Sequence, residues 1–211
     1  MKYLQIFGNL LIFGLKFQAY FFLRVLKGGI IFGIFPAMFG SYKLLTKCLN
    51  DKDMSHVSIK QALSDETKSE LIKMNILGYG FAFVFYLLGV NLLISRTFIG
   101  IDALHWFLIA VIVLMVSLWI YVVVLFTKYE LPLRQYILQS FLCSVLGIIE
   151  TIGIVVTFGF ATALVVTIPP LGVFFGVVLI TLPHAWFGRT ALRRFERVVY
   201  QHKTQEEKVD E

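Results

Sequence analysis

The chain has 211 residues, of which 58% are hydrophobic and 16% aromatic, with a mean hydropathy of +0.82 and a formal net charge of +6. A water-soluble domain of this length has no means of covering so much apolar surface, which excludes an ordinary soluble enzyme or binding module. Nor does the positive charge point to nucleic acid, because Lys and Arg border apolar runs instead of forming a basic domain; the anionic headgroups of membrane lipid are the fitting counter-charge.

The first element is a helix over residues 2–27. At 100° per residue, Lys2, Gln5, Asn9, Lys16, Tyr20, Arg24 and Lys27 share an arc of roughly 100°, leaving mostly Leu, Ile and Phe elsewhere. Such a face is too charged for lipid tails. We read it as an amphipathic helix lying in the bilayer interface and ended by Gly28-Gly29; the alternative is a further spanning helix whose polar stripe faces the bundle or a partner. The Met1-Lys2 start resembles a signal peptide. Lys16 and Gln18 interrupt the apolar run, however, and no small-x-small site follows, so the segment is expected to be retained.

A spanning helix needs about 20 mostly apolar residues. Residues 29–45, 76–95, 104–126, 137–158 and about 169–187 meet or approach that length, and runs so long are helices rather than barrel strands. The apolar stretch 159–168 is either re-entrant or a tight connection before Pro169-Pro170. The polar connection 48–73 is expected to hold a short helix starting near Ser55 or Ser58, with Ile59, Ala62 and Leu63 as its apolar side. Beyond the last span Arg189, Arg193 and Arg197 recur every four residues opposite Leu192, Phe195 and Val199, which describes a basic surface helix; a flexible tail, 201–211, follows.

The fold class that follows is all-α: a polytopic membrane helix bundle with about five transmembrane helices plus the N-terminal amphipathic helix, forming one membrane domain over 1–200. Of the 19 Lys and Arg, 14 fall on alternate connections and on the tail. The positive-inside rule therefore predicts a multi-pass protein of the cell membrane with those connections and the C-terminus in the cytoplasm.

Few residues offer chemistry. Glu150 lies near the middle of the run 137–158, where a carboxylate costs on the order of 3 kcal/mol and must be protonated, paired or facing a wet cavity. It reads as a proton or cation site, as an acceptor for a substrate hydroxyl, or as a protonated structural group bonded to a neighbouring helix, to Thr151 or Asn91. His184, after Pro183, is either a titrating switch or an interfacial anchor beside Trp186, and His105 with Trp106 repeats the case at the opposite boundary. Asn75 and Asn91 read as interhelical hydrogen-bond partners. Pro36 and Pro183 are expected to kink their helices. Cys48 and Cys143 are isolated thiols that fit packing. The motifs of zinc proteases, intramembrane aspartyl proteases, serine hydrolases and nucleotide-binding loops are missing from the sequence, so neither catalysis nor a metal or other cofactor is expected.

Four stretches carry a resemblance to a known family. Gly28-Gly29-Ile30-Ile31-Phe32-Gly33-Ile34-Phe35-Pro36-Ala37, Lys73-Met74-Asn75-Ile76-Leu77-Gly78, Tyr129-Glu130-Leu131-Pro132-Leu133-Arg134-Gln135-Tyr136 and Pro170 resemble, in order and spacing, the YesL family of small bacterial membrane proteins, a domain of unknown function. The resemblance covers most of the chain. It departs at Arg24 and Lys27, where members are more apolar, and at Ile148-Ile149-Glu150, where many carry a proline. It implies association with carbohydrate uptake and polysaccharide breakdown in Gram-positive bacteria, and no catalytic residue. The expected function is thus a non-enzymatic accessory or regulatory protein in contact with membrane lipid, with carbohydrate importer components as partners and self-association a further expectation. The alternative is a small oligomeric secondary transporter or channel built on Glu150, Pro36 and Pro183.

Overall fold

A computed structural model describes residues 2–50 and 67–209, and among them every regular element is helical. The elements are α1 (Lys2–Lys27), a 3-10 turn (Ile31–Gly33), α2 (Ile34–Asn50), α3 (Lys68–Ile94), a π-turn (Ser95–Ile99), α4 (Asp102–Lys128), α5 (Leu133–Leu146), α6 (Ile148–Thr167) and α7 (Pro169–Val209). Four helical stretches are long and apolar enough to cross a membrane: Lys68–Thr97, Asp102–Lys128, Ile148–Thr167 and Pro169–Val198. The protein is an all-α membrane helix bundle. The short helix expected near Ser55 or Ser58 lies outside the described residues.

Local chemistry explains the helix ends. Thr67 and Glu70 form a capping box at the start of α3: the Glu70 carboxylate accepts from Thr67 N at 2.8 Å, and Thr67 Oγ1 accepts from Glu70 N at 3.3 Å. At the end of α1, Gly29 N donates to Leu26 O at 3.0 Å and Ile30 N to Val25 O at 2.9 Å. With Gly29 at φ 72°, these two bonds make a Schellman motif. Ile31 N then donates to Gly29 O at 2.7 Å, which closes a γ-turn on Ile30 at φ 59° and ψ −68°. That backbone is strained for a β-branched residue.

Two expectations about spans need correction. The run 137–158 is not one helix, because the chain leaves helical geometry at Gly147, where φ is −102° and ψ is 44°. It resumes as α6, which absorbs residues 159–167 from the stretch expected to be re-entrant or a tight connection. Sequence periodicity offers no break there, since residues stay apolar on both sides of Gly147. The first run, 29–45, is displaced as well: the Schellman and γ-turns occupy its start, and α2 begins only at Ile34 and has 17 residues, the short end of what spans a bilayer. Pro36 consequently stands third in α2, directly after the 3-10 turn, instead of in the interior of a helix over 29–45. Pro183 does lie inside α7 and removes a bond to the carbonyl of Leu179.

The chain folds into two compact units. The first comprises Met1–Asn75 and Val156–Trp186. There α1 packs on α2 around buried Phe17, Phe39, Tyr42, Leu44, Leu45 and Met74. The face of α1 turned inward carries Gly14, Phe17 and Gln18, whereas Leu11, Ile12, Leu15, Leu23 and Leu26 are exposed and apolar. Because lipid tails are as apolar as Leu, such a surface needs no covering, and helices associate by close packing and polar bonds instead. The second unit comprises Ile76–Val155 and Phe187–Glu211. Its centre is the end of α4, where Leu118 and every residue from Ile120 to Leu125 are buried, with α5 packed alongside.

Candidate functional site

The second unit contains a polar cluster built at the α5–α6 break. Glu150 is the third residue of α6, where the helix dipole favours a carboxylate. Its side chain is 6% exposed, and Oε1 lies 3.0 Å from Arg194 Nη2, on a side chain 46% exposed. Oε2 has no hydrogen-bond partner among the described residues. A helix of 20 residues is about 30 Å long, so Glu150 stands at one end of its span and not at the middle, as the run 137–158 had implied. Its partner also differs from the two expected. Thr151 donates to the carbonyl of Gly147 at 2.9 Å and accepts from the Tyr121 hydroxyl at 2.9 Å, and Asn91 is exposed. The pairing was not legible because it depends on α6 beginning at Ile148, which brings the first turn of that helix level with the Arg-rich part of α7.

Two residues further along, α7 is fastened a second time. Glu196 forms an ion pair with Lys128 and accepts from the Tyr129 hydroxyl at the end of α4. Burial, followed by the bond to the Glu196 carboxylate and its charge, pushes the Tyr129 phenol above its ordinary value. The short connection after α4 is closed by another phenol: Tyr136 donates to Tyr129 O at 2.6 Å and accepts from Leu131 N at 3.0 Å. Arg194 and Glu196 thus tie α7 to the start of α6 and to the end of α4. Arg193 and Arg197, flanking them on either side, are exposed.

In the first unit His184 is enclosed, at 1% exposure, while the neighbouring Trp186 is 54% exposed. Its Nδ1 is 3.2 Å from the Tyr42 hydroxyl, and its ring stacks on Phe158 with centroids 5.8 Å apart. Gln18, also buried, accepts from Val177 N at 3.1 Å. The asparagines depart from expectation, since each spends its amide inside its own helix: Asn75 donates to Leu71 O at 2.9 Å and Asn91 to Leu87 O at 2.8 Å. An i−4 carbonyl is simply the nearest acceptor for an amide in an apolar medium. Asn75 Oδ1 is buried with no hydrogen-bond partner among the described residues.

The arrangement holds charges in place; it does not assemble a nucleophile, a base and an oxyanion donor. Among the described residues no three His, Cys, Asp or Glu side chains come together as a metal site requires. Sequence reasoning missed Arg194, Tyr121, Glu196 and Tyr42. The signal available was Tyr121, a tyrosine inside the apolar stretch Leu118–Leu125 near the end of α4, which needs a partner for its hydroxyl.

A family described as a protein of unknown function, DUF624, matches residues 15–92, which include the end of α1, the Gly28–Gly33 turns, α2 and most of α3. The chain is also 30% identical over 184 residues, 85% of each protein, to the uncharacterized protein YesV of Bacillus subtilis (strain 168). No solved structure matches it. The likeness to YesV extends well beyond the 15–92 segment, and the chain therefore belongs to the DUF624 family of proteins of unknown function.

Proposed function

We propose that this protein is a non-enzymatic component of the cell membrane, of the YesL type within its family, that assembles with or regulates a carbohydrate import or glycan-processing system. The sugar link comes from the YesL resemblance alone. What the fold contributes is a docking element: the basic stretch of α7, with exposed Arg193 and Arg197, held in one orientation by the Glu150–Arg194 and Glu196–Lys128 pairs. That clamped basic stretch is the observation on which the reading rests. By the positive-inside rule it faces the cytoplasm, where the domains of an importer that bind nucleotide or regulate it are found.

The turns that carry the resemblance support a structural role for those motifs. Gly28 to Gly33 make a Schellman motif and a γ-turn, and Tyr129 to Tyr136 make a loop closed by a phenol. The transporter reading loses its main support, because Glu150 sits at the end of a span and is paired.

Crosslinking in native membranes, from a photoreactive group at Arg197, tests the proposal. Capture of importer or glycan-processing components is expected, and capture of none removes it. A reporter fused after Glu211 checks the orientation, with an external signal contradicting it.

A further inference from the structure

The connection between α3 and α4 is more than a loop. After the π-turn Ser95–Ile99, Gly100 takes a left-handed φ of 65°, Ile101 is extended, and α4 starts at Asp102. Around this reversal Ser95, Arg96, Gly100, Asp102, His105 and Trp106 line an open cleft of about 350 Å³. π-turns of this kind recur at functional sites.

The hydrogen bonding of the cleft defines what it offers. Ser95 is buried, donates its one proton to Leu92 O at 2.8 Å, and lies 3.2 Å from His105 Nδ1. With that proton spent its hydroxyl offers lone pairs to Nδ1, and in the tautomer that donates from Nδ1 the other ring nitrogen, Nε2, is an acceptor. One guanidinium, one carboxylate and one imidazole acceptor therefore share a cleft whose formal charges cancel. A simple anion would meet Asp102 and a simple cation Arg96, whereas a molecule carrying both a phosphate and an ammonium group satisfies both. The place of the cleft decides which such molecule is at hand. It lies at the end of two membrane-crossing helices, and Ile101, Trp106 and Phe107 beside it are 54%, 68% and 63% exposed, an apolar and aromatic rim of the kind that sits at headgroup level.

We propose that this cleft binds the headgroup of a phosphoethanolamine lipid. Arg96 takes the phosphate, Asp102 and His105 Nε2 accept from the ammonium N–H groups, and Trp106 lies along the glycerol and upper acyl chain. The recognition is selective for a primary ammonium. A trimethylated choline head has no N–H to give, and a glycerol head has no cation for Asp102.

Native mass spectrometry of the full-length protein in mild detergent tests this, with phosphatidylethanolamine, phosphatidylcholine and phosphatidylglycerol of identical acyl chains offered in competition. The ethanolamine lipid should be retained about tenfold over the choline lipid, the loss of charge-assisted hydrogen bonds setting the scale. Arg96→Gln and Asp102→Asn should each abolish the preference. Equal retention of the ethanolamine and choline lipids by the unaltered protein overturns the proposal without recourse to any variant, as does a preference for the glycerol lipid. Glycerophosphoethanolamine, the same headgroup without chains, is added as a soluble competitor. Failure of millimolar amounts to displace the lipid supports the bilayer as the source, and full displacement overturns it.

Discussion

Glu150 and Arg194 meet at 3.0 Å with the carboxylate almost wholly enclosed and the guanidinium half exposed. The two halves of this pair are therefore unequal. Removing the guanidinium strands a buried charge, but removing the carboxylate frees an arginine that still reaches solvent or headgroups. Arg194→Gln should destabilise by about 1–3 kcal/mol and Glu150→Gln by less than about 1 kcal/mol. The double variant should recover most of the loss. Thermal unfolding of the three variants in one detergent checks the order, and a larger loss for Glu150→Gln would contradict the pairing.

Clamping of α7 by Glu196 gives a prediction in pH. The Tyr129 phenol is raised above the ordinary value of 10 by burial, by its bond to Glu196 and by that charge. A group whose folded pKa is raised stabilises the fold fully below its unfolded pKa, and that contribution is lost as pH rises through the folded value. Stability should accordingly fall above about pH 10, and less steeply in Tyr129→Phe. The difference in phenolate absorbance between the native chain and Tyr129→Phe should show a late titration. Glu196→Gln should move it to lower pH, and an unmoved titration would show that the carboxylate has no hold on the phenol.

Ile30 carries the strained backbone between α1 and α2, with φ at 59° and ψ at −68°, and the residue is 56% exposed. Little packing is lost when that side chain is removed, and the strain is relieved. Ile30→Gly should stabilise by about 1 kcal/mol. Destabilisation of similar size would mean that the exposed Ile30 side chain holds something the isolated chain lacks, such as a second protein surface.

Glycines in this chain divide by what surrounds them. A Cβ on Gly33 would sit 2.9 Å from both the Cα and the carbonyl carbon of Val25, backbone atoms that have nowhere to go, whereas one on Gly80 meets nothing within 4 Å. Gly33→Ala should cost about 1–3 kcal/mol or prevent folding, while Gly80→Ala should be neutral or mildly stabilising. Expression level with melting temperature in detergent separates the two.

The chain by itself determined its solvent. Apolar runs too long to bury in 211 residues, with basic residues at their borders, admit only a lipid-embedded helix bundle, because backbone groups in hydrocarbon must be bonded within their own helix. Most of the helices were legible for the same reason. Where an apolar run stops being one helix was not, since nothing apolar distinguishes Gly147 from its neighbours until Tyr121 and Thr151 bond across the break. That displacement moved Glu150 from the middle of a span to its end and gave it Arg194. His184 found Tyr42, and Ser95 found His105, by the same kind of contact between segments. Hydropathy is summed along a chain and survives any register; a hydrogen bond needs two atoms at one distance, and only the packing of the helices sets that.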